Sequence, residues 1–353
     1  MNSNNGTNNR APMPVAFFGI AVGSLALAGA WRAAARVWTM IPDAAPALLT
    51  AGALVVWVAL LAAYGRKWLV ARDAAIAELR HPVQSSFVAL VPVSAMLAAQ
   101  AVQAYSRGVA IALFAIGLAS SLALGAYLQG RFWQGGRKPE QTTPAIYLPT
   151  VAPSFVAGTA AAGLGFAQIG MLLFGAGVFS WLALESIVLH RAAVHEPLPD
   201  ALRPSLGIQL APPVVGGVSY LAITHGAPDT FAYMLLGYGL YQALMLARLV
   251  PWIRQHAFTP SYWAFSFGAA ALPTMAIRML ERGATGPMTW IAPVAFVAAN
   301  VVIGLMIAGT VRAMVRGELL PAAAPSTQSS RAAVTPINGN VRSIERRAVA
   351  ASR

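Results

Sequence analysis

The chain has 353 residues, of which 58% are hydrophobic and only 10% charged, where a soluble domain carries roughly 25% charged. Mean hydropathy is +0.63, which excludes a disordered chain, a nucleic-acid-binding module and an ordinary cytosolic enzyme, and leaves a multi-span membrane protein. Cysteine is absent, so disulfides, thiolate metal sites and cysteine nucleophiles are excluded, and the net charge of +13 has to be explained by where the basic residues lie.

Residues 1–11 are rich in Asn and lack apolar periodicity, so a disordered tail is expected. Apolar runs of about 20 residues, enough to cross the hydrocarbon layer, then occur ten times. They fall at 13–35, 47–70, 84–105, 108–130, 145–166, 167–190, 206–225, 229–252, 261–280 and 287–314. The fifth and sixth form one continuous stretch, about two spans long, divided near Gly163–Gly165. Ala28-Gly29-Ala30 in the first span has the form of a signal-peptide cleavage site. Only Arg10 precedes that span, however, and its features recur later in the chain, so it is taken as a true span. Residues 317–353, rich in Ala, Ser, Pro and Arg, are expected to be a disordered basic tail. The organisation is therefore one transmembrane domain, 12–316, between two tails.

Lys and Arg set the orientation of such a chain. With both termini cytoplasmic, the inner side holds 19 basic residues and the opposite side 5, namely Arg32, Arg36, Arg107, Arg278 and Arg282. Both ends are thus expected inside, and topology explains the basic pI without a nucleic-acid partner.

Proline recurs on every odd-numbered span. Pro14, Pro82, Pro149, Pro212 and Pro273 are separated by 68, 67, 63 and 61 residues, with Pro92, Pro153 and Pro213 as further odd-span prolines. The pattern predicts five helical hairpins, each with a kinked first helix and a regular second one. A proline frees a backbone carbonyl, and in lipid that group must face protein or water. The five kinked helices are therefore expected as an inner ring around a pore, shielded by an outer ring of the five even ones.

Small and polar residues collect on the same odd spans, among them Gly19, Gly23, Gly216 and Ser266. Close helix packing would select such residues too, but their coincidence with proline favours a conduit. Formal charge is nearly absent from the middle of the odd spans, which suits weak binding and conduction. Helix N-termini and basic mouths favour anions over cations. Phe18, Phe87, Phe155, Phe265 and Phe267 recur beside Gly and Pro, and such a set can form a hydrophobic constriction. Glu185 is the one acid clearly inside a span. It is either a proton-coupling site or a group held by a neighbouring base, by Ser or by backbone groups. His190 and His195 lack the partners of a metal set. No Walker loop, dinucleotide fingerprint or nucleophile elbow occurs, so neither enzyme activity nor a cofactor is expected.

Several segments resemble the tellurite-resistance/dicarboxylate transporter family. They include PVAFFGIAVGSLALAGAW (14–31), HPVQSSFVALVPVSAML (81–97), YLPTVAPSF (147–155), LGIQLAPPVVGGVSYL (206–221), YWAFSFGAAALP (262–273), FWQGG (132–136) and GYGLYQALMLARLVPWI (237–253). The likeness covers roughly residues 12–316. It implies ten helices in quasi-fivefold hairpins, an inner membrane location and a homotrimer with one pore per protomer. It also implies an anion channel of the slow anion type for small inorganic or carboxylate anions, occluded by a phenylalanine on the ninth helix. That role falls on Phe267, with Phe265 as the fallback, and Gly19 matches a pore-facing glycine of the first helix. Because the family includes malate and sulfite exporters, a proton-coupled dicarboxylate or oxyanion (tellurite, sulfite) carrier is the alternative.

Overall fold

The computed structural model describes residues 12–320; the predicted tail at 1–11 and nearly all of the one at 317–353 lie outside the described residues. Ten helical segments are long and apolar enough to cross a membrane. They are Val15–Val37, Ala44–Val70, Gln84–Val102, Arg107–Trp133, Pro144–Gly163, Ala167–Val194, Asp200–Ile223, Thr230–Ile253, Pro260–Glu281 and Met288–Val315, called spans one to ten below. Nine begin within three residues of the predicted start; span seven begins six residues early, as a 3-10 segment over Asp200–Leu210. The turn between spans five and six falls where the length argument put it, with Gly165 at φ 89°, a conformation closed to most side chains.

Even spans are unbroken α-helices, while the odd spans share an irregular first part. Span one opens with a 3-10 turn at Val15–Phe17, and span three breaks at Ala89 between helices Gln84–Val88 and Leu90–Val102. Span five opens with a 3-10 turn at Pro144–Tyr147 before its helix Val151–Gly163, and span nine with one at Pro260–Phe265 before Ser266–Glu281.

The prolines mark these breaks in different ways. Pro92 follows the break of span three by three residues, as expected when its ring pushes on a carbonyl one turn earlier. Pro149 and Pro153 flank the start of the span-five helix, and Pro212 and Pro213 occupy the first turn of the span-seven helix, where a missing N–H has no partner to lose. Two prolines do not sit at the breaks. Pro14 caps the first 3-10 turn from outside, and Pro273 sits inside a continuous helix. The break of span nine lies at Phe265, ahead of its proline.

Span one packs against spans three and nine, three against five, five against seven, and seven against nine. Each even span packs on the odd span before it. Burial follows the same division: 56–83% of the apolar window of each odd span is buried, against 22–33% for the even spans. Among the described residues, the exposed large apolar side chains of the spans all lie on even ones, for example Val58, Ile116, Leu172, Leu244 and Leu305. In water such a surface would aggregate, whereas in a bilayer it is the solvent-matched face. Indole donors tie the layers together. Trp57 Nε1 donates to Ser94 Oγ at 3.0 Å, Trp31 Nε1 to Asn300 Oδ1 at 2.9 Å and Trp263 Nε1 to Thr310 Oγ1 at 2.9 Å.

Sequence reasoning missed a short helix, Arg72–Arg80, after span two. Its Glu78 is buried and pairs with the equally buried Lys67 at 2.6 Å. Lys67 Nζ also donates to the Met13 carbonyl and the Val15 N–H to Glu78 Oε1. The pair therefore fastens the entry of span one to this helix.

Candidate functional site

Two cavities lie among the odd spans, and each is lined by residues from all five of them. The first, about 310 Å³, is bounded by the N-terminal halves of the spans, together with Glu78 and His81. The second, about 380 Å³, is bounded by the C-terminal halves. All five odd spans therefore run in the same direction between the cavities. Phe267 and Val215 are the two residues that line both.

One helical face of each odd span supplies the lining. On span nine it is Phe267, Ala271, Thr274 and Arg278; on span seven Ile208, Ala211, Val215, Val218 and Ala222. Span three contributes Phe87, Leu90, Val93, Leu97, Gln100 and Gln103. These are the three- and four-residue steps of one α-helical stripe.

Of the residues singled out from the sequence, Gly19, Phe87, Phe155, Ser266 and Phe267 line the first cavity. The others do not. Phe18 is fully buried and meets the Tyr64 ring edge-on at 5.6 Å, toward span two. Gly23 permits close approach of spans one and nine: a Cβ there would stand 2.2 Å from Ser266 Oγ. Gly216 makes room for the Phe155 ring, 3.1 Å from a built Cβ, and Phe265 lies over Gly207 of span seven. At these four positions the contacts observed are those of helix packing.

Glu185 is buried behind the wall of the first cavity. Its Oε2 accepts from Tyr147 Oη at 2.7 Å and from Trp181 Nε1 at 2.9 Å, and its Oε1 accepts from Tyr238 Oη at 3.0 Å. Neither a basic group nor a serine is among these partners. Tyr147 itself lines the first cavity, so the acid is one side chain removed from it.

The charged lining differs between the cavities. The first has Glu78, whose Oε2 lacks a partner, and His81, whose Nδ1 accepts from the Val83 and Gln84 N–H groups. The second has Arg32, Arg36 and Arg278 and no acid. Arg32 and Arg278 stand in the last turns of spans one and nine, outside the middle of the spans where formal charge was expected to be sparse. The helical stripe from Phe267 through Thr274 to Arg278 carried the signal for the place of Arg278 in the sequence.

Ten apolar spans enclosing such cavities fit a multi-pass membrane protein of the transport class. The chain belongs to the voltage-dependent anion channel (SLAC1) family, whose sequence profile matches residues 12–311. It is 33% identical over 311 residues to the tellurite resistance protein TehA homolog of Haemophilus influenzae, covering 87% of this chain and 92% of that protein. An uncharacterized transporter of Methanocaldococcus jannaschii is 29% identical over 232 residues, covering 58% of this chain and 66% of that protein. The S-type anion channel SLAH3 of Arabidopsis thaliana is 23% identical over 198 residues, covering 55% of this chain and 31% of that protein.

Proposed function

We propose that the chain is a passive, anion-selective channel whose path joins the two cavities and is closed at Phe267. The observation that carries this reading is the sharing of Phe267 by both cavities. An apolar ring at the junction of two chambers blocks ions by steric exclusion and dewetting. The closed order of packing among spans one, three, five, seven and nine supports an inner ring, with the even spans as an outer one. Anion selectivity follows from helix N-termini directed at the first cavity and from arginines at the second. The names of two relatives, an S-type anion channel and a tellurite resistance protein, fit the same class of permeant.

The excess of basic residues on the side of the termini orients that side to the cytoplasm of an inner membrane. A homotrimer with one pore per protomer is carried from the family resemblance. The permeants are small inorganic or carboxylate anions. Phe267→Ala is expected to raise anion conductance in planar bilayers, and an unchanged current would reject the gate. The buried Glu185 beside cavity-lining Tyr147 favours a second reading, proton-coupled carriage of dicarboxylates or oxyanions. The two separate by reversal potential: a channel follows the permeant anion, whereas a coupled carrier also follows pH.

A further inference from the structure

The second cavity has a charge problem that its arginines do not all solve in the same way. Five helix C-termini point toward it, and each carries about half a negative charge with unsatisfied carbonyls. An anion would be repelled there without compensation. Arg107 donates to the Leu164 carbonyl, and Arg282 to the carbonyls of Leu221 and Thr224, so both cap helix ends. Arg36 forms a two-pronged pair with Glu281, Nε to Oε1 at 2.7 Å and Nη2 to Oε2 at 3.2 Å.

Arg278 differs from these three. It lines the cavity, its buried Nε has no partner, and its one hydrogen bond, Nη1 to the Val218 carbonyl, is 3.5 Å long. Arg32 also lines the cavity and uses a single donor, Nη1 to Thr50 Oγ1 at 2.8 Å. Among the described residues, neither has a carboxylate within 4.0 Å. The charged neighbours of Arg278 are Arg36, Arg282, Arg32 and Glu281, and that acid is already held by Arg36. Both residues are half-buried, and each guanidinium offers five donors, most of them idle, which an anion in the cavity can complete.

We infer that Arg278 and Arg32 form a binding site for a small oxyanion in the second cavity. The other polar groups of the lining are already committed: Thr159 and Thr274 donate to carbonyls of their own helices, and Gln100 and Gln103 to carbonyls of span five. Selection therefore falls to the guanidinium forks, whose planar geometry matches two oxygens on one centre, as in a carboxylate. The role of this site in permeation rests on the channel reading; binding itself does not.

The test is equilibrium dialysis of radiolabelled formate against the detergent-solubilised full chain in HEPES–Tris buffer. Saturable binding is expected, weakened about ten-fold or more by Arg278→Gln and by Arg32→Gln, the loss of one charge-assisted pair of bonds. Arg278→Lys should weaken it less, and Arg107→Gln, which alters only a helix cap, should leave it unchanged. Absence of saturable binding, or an affinity unchanged from the parent in both glutamine variants, overturns the site. Arg278-dependent binding in a protein whose Phe267→Ala variant passes no anion current would reject the channel and keep the site. Normal anion current with binding indifferent to Arg278 would do the reverse.

Discussion

Replacing Glu185 tests whether a buried carboxylate in the membrane serves as an acceptor or as a charge. In Glu185→Leu, the Tyr147 hydroxyl and Trp181 indole lose the atom to which both donate, at 2.7 and 2.9 Å. Both side chains are buried, so each orphaned donor costs about 1–3 kcal/mol. Tyr238 is less enclosed and still receives a hydrogen bond from Gln242 at 2.8 Å, so its loss is smaller. Burying leucine recovers about 1.5–3 kcal/mol, leaving a net destabilisation of about 2 kcal/mol. Glutamine behaves differently. Its carbonyl can take the place of Oε2 and keep both donors, while its amide meets the Tyr238 oxygen. Glu185→Gln should therefore cost less than about 1 kcal/mol, since one bond is exchanged rather than two removed. Equilibrium unfolding in mixed micelles measures both. If glutamine destabilises as much as leucine, charge and not acceptor geometry holds the cluster, and the reasoning fails. A leucine variant as stable as the parent would refute it from the other side.

Two further substitutions probe the scaffold. Lys67→Met strands the buried Glu78 carboxylate and should cost about 3–5 kcal/mol, whereas adding Glu78→Gln should restore part of that loss; purely additive unfolding energies would show that the 2.6 Å pair is not coupled. Gly23→Ala forces a methyl to within 2.2 Å of Ser266 Oγ and should destabilise by about 1–3 kcal/mol through overpacking; a thermal midpoint unchanged from the parent would mean that spans one and nine separate freely.

Lipid makes some of this architecture easy to read in a sequence. A span must be apolar for about 20 residues, so ten were countable, and the turn at Gly165 followed from length alone. Facing is harder, because consecutive residues on a helix point about 100° apart. Phe18, Gly23 and Gly216 were chosen for residue type, yet each is one step off the stripe through Gly19, Val22 and Val215 that lines the first cavity. Following that stripe at three- and four-residue steps would have rejected them. Helix breaks were legible only as a class, since a proline disturbs the turn before it and can also start a helix without harm. The helix Arg72–Arg80 could not be read at all: nine residues with four formal charges have no periodicity to set them apart from a loop, and only the partner Lys67 explains the burial of Glu78.

The five basic residues on the face opposite the termini show why a charge count can give an orientation and still conceal a site. Orientation depends on totals, and 19 against 5 is a wide enough margin that the minority can be ignored. The minority is not scattered, however. Arg32 and Arg36 lie at the C-terminal end of span one and Arg278 at that of span nine, with Arg282 just beyond it, and Arg107 reaches across to the last turn of span five. Parallel odd helices collect their negative ends on one side, and cations are the means of offsetting them. Three of the five arginines are taken up by carbonyls or by Glu281. The two whose donors remain largely free are the two that line the cavity without a carboxylate partner, and helix capping alone does not account for them.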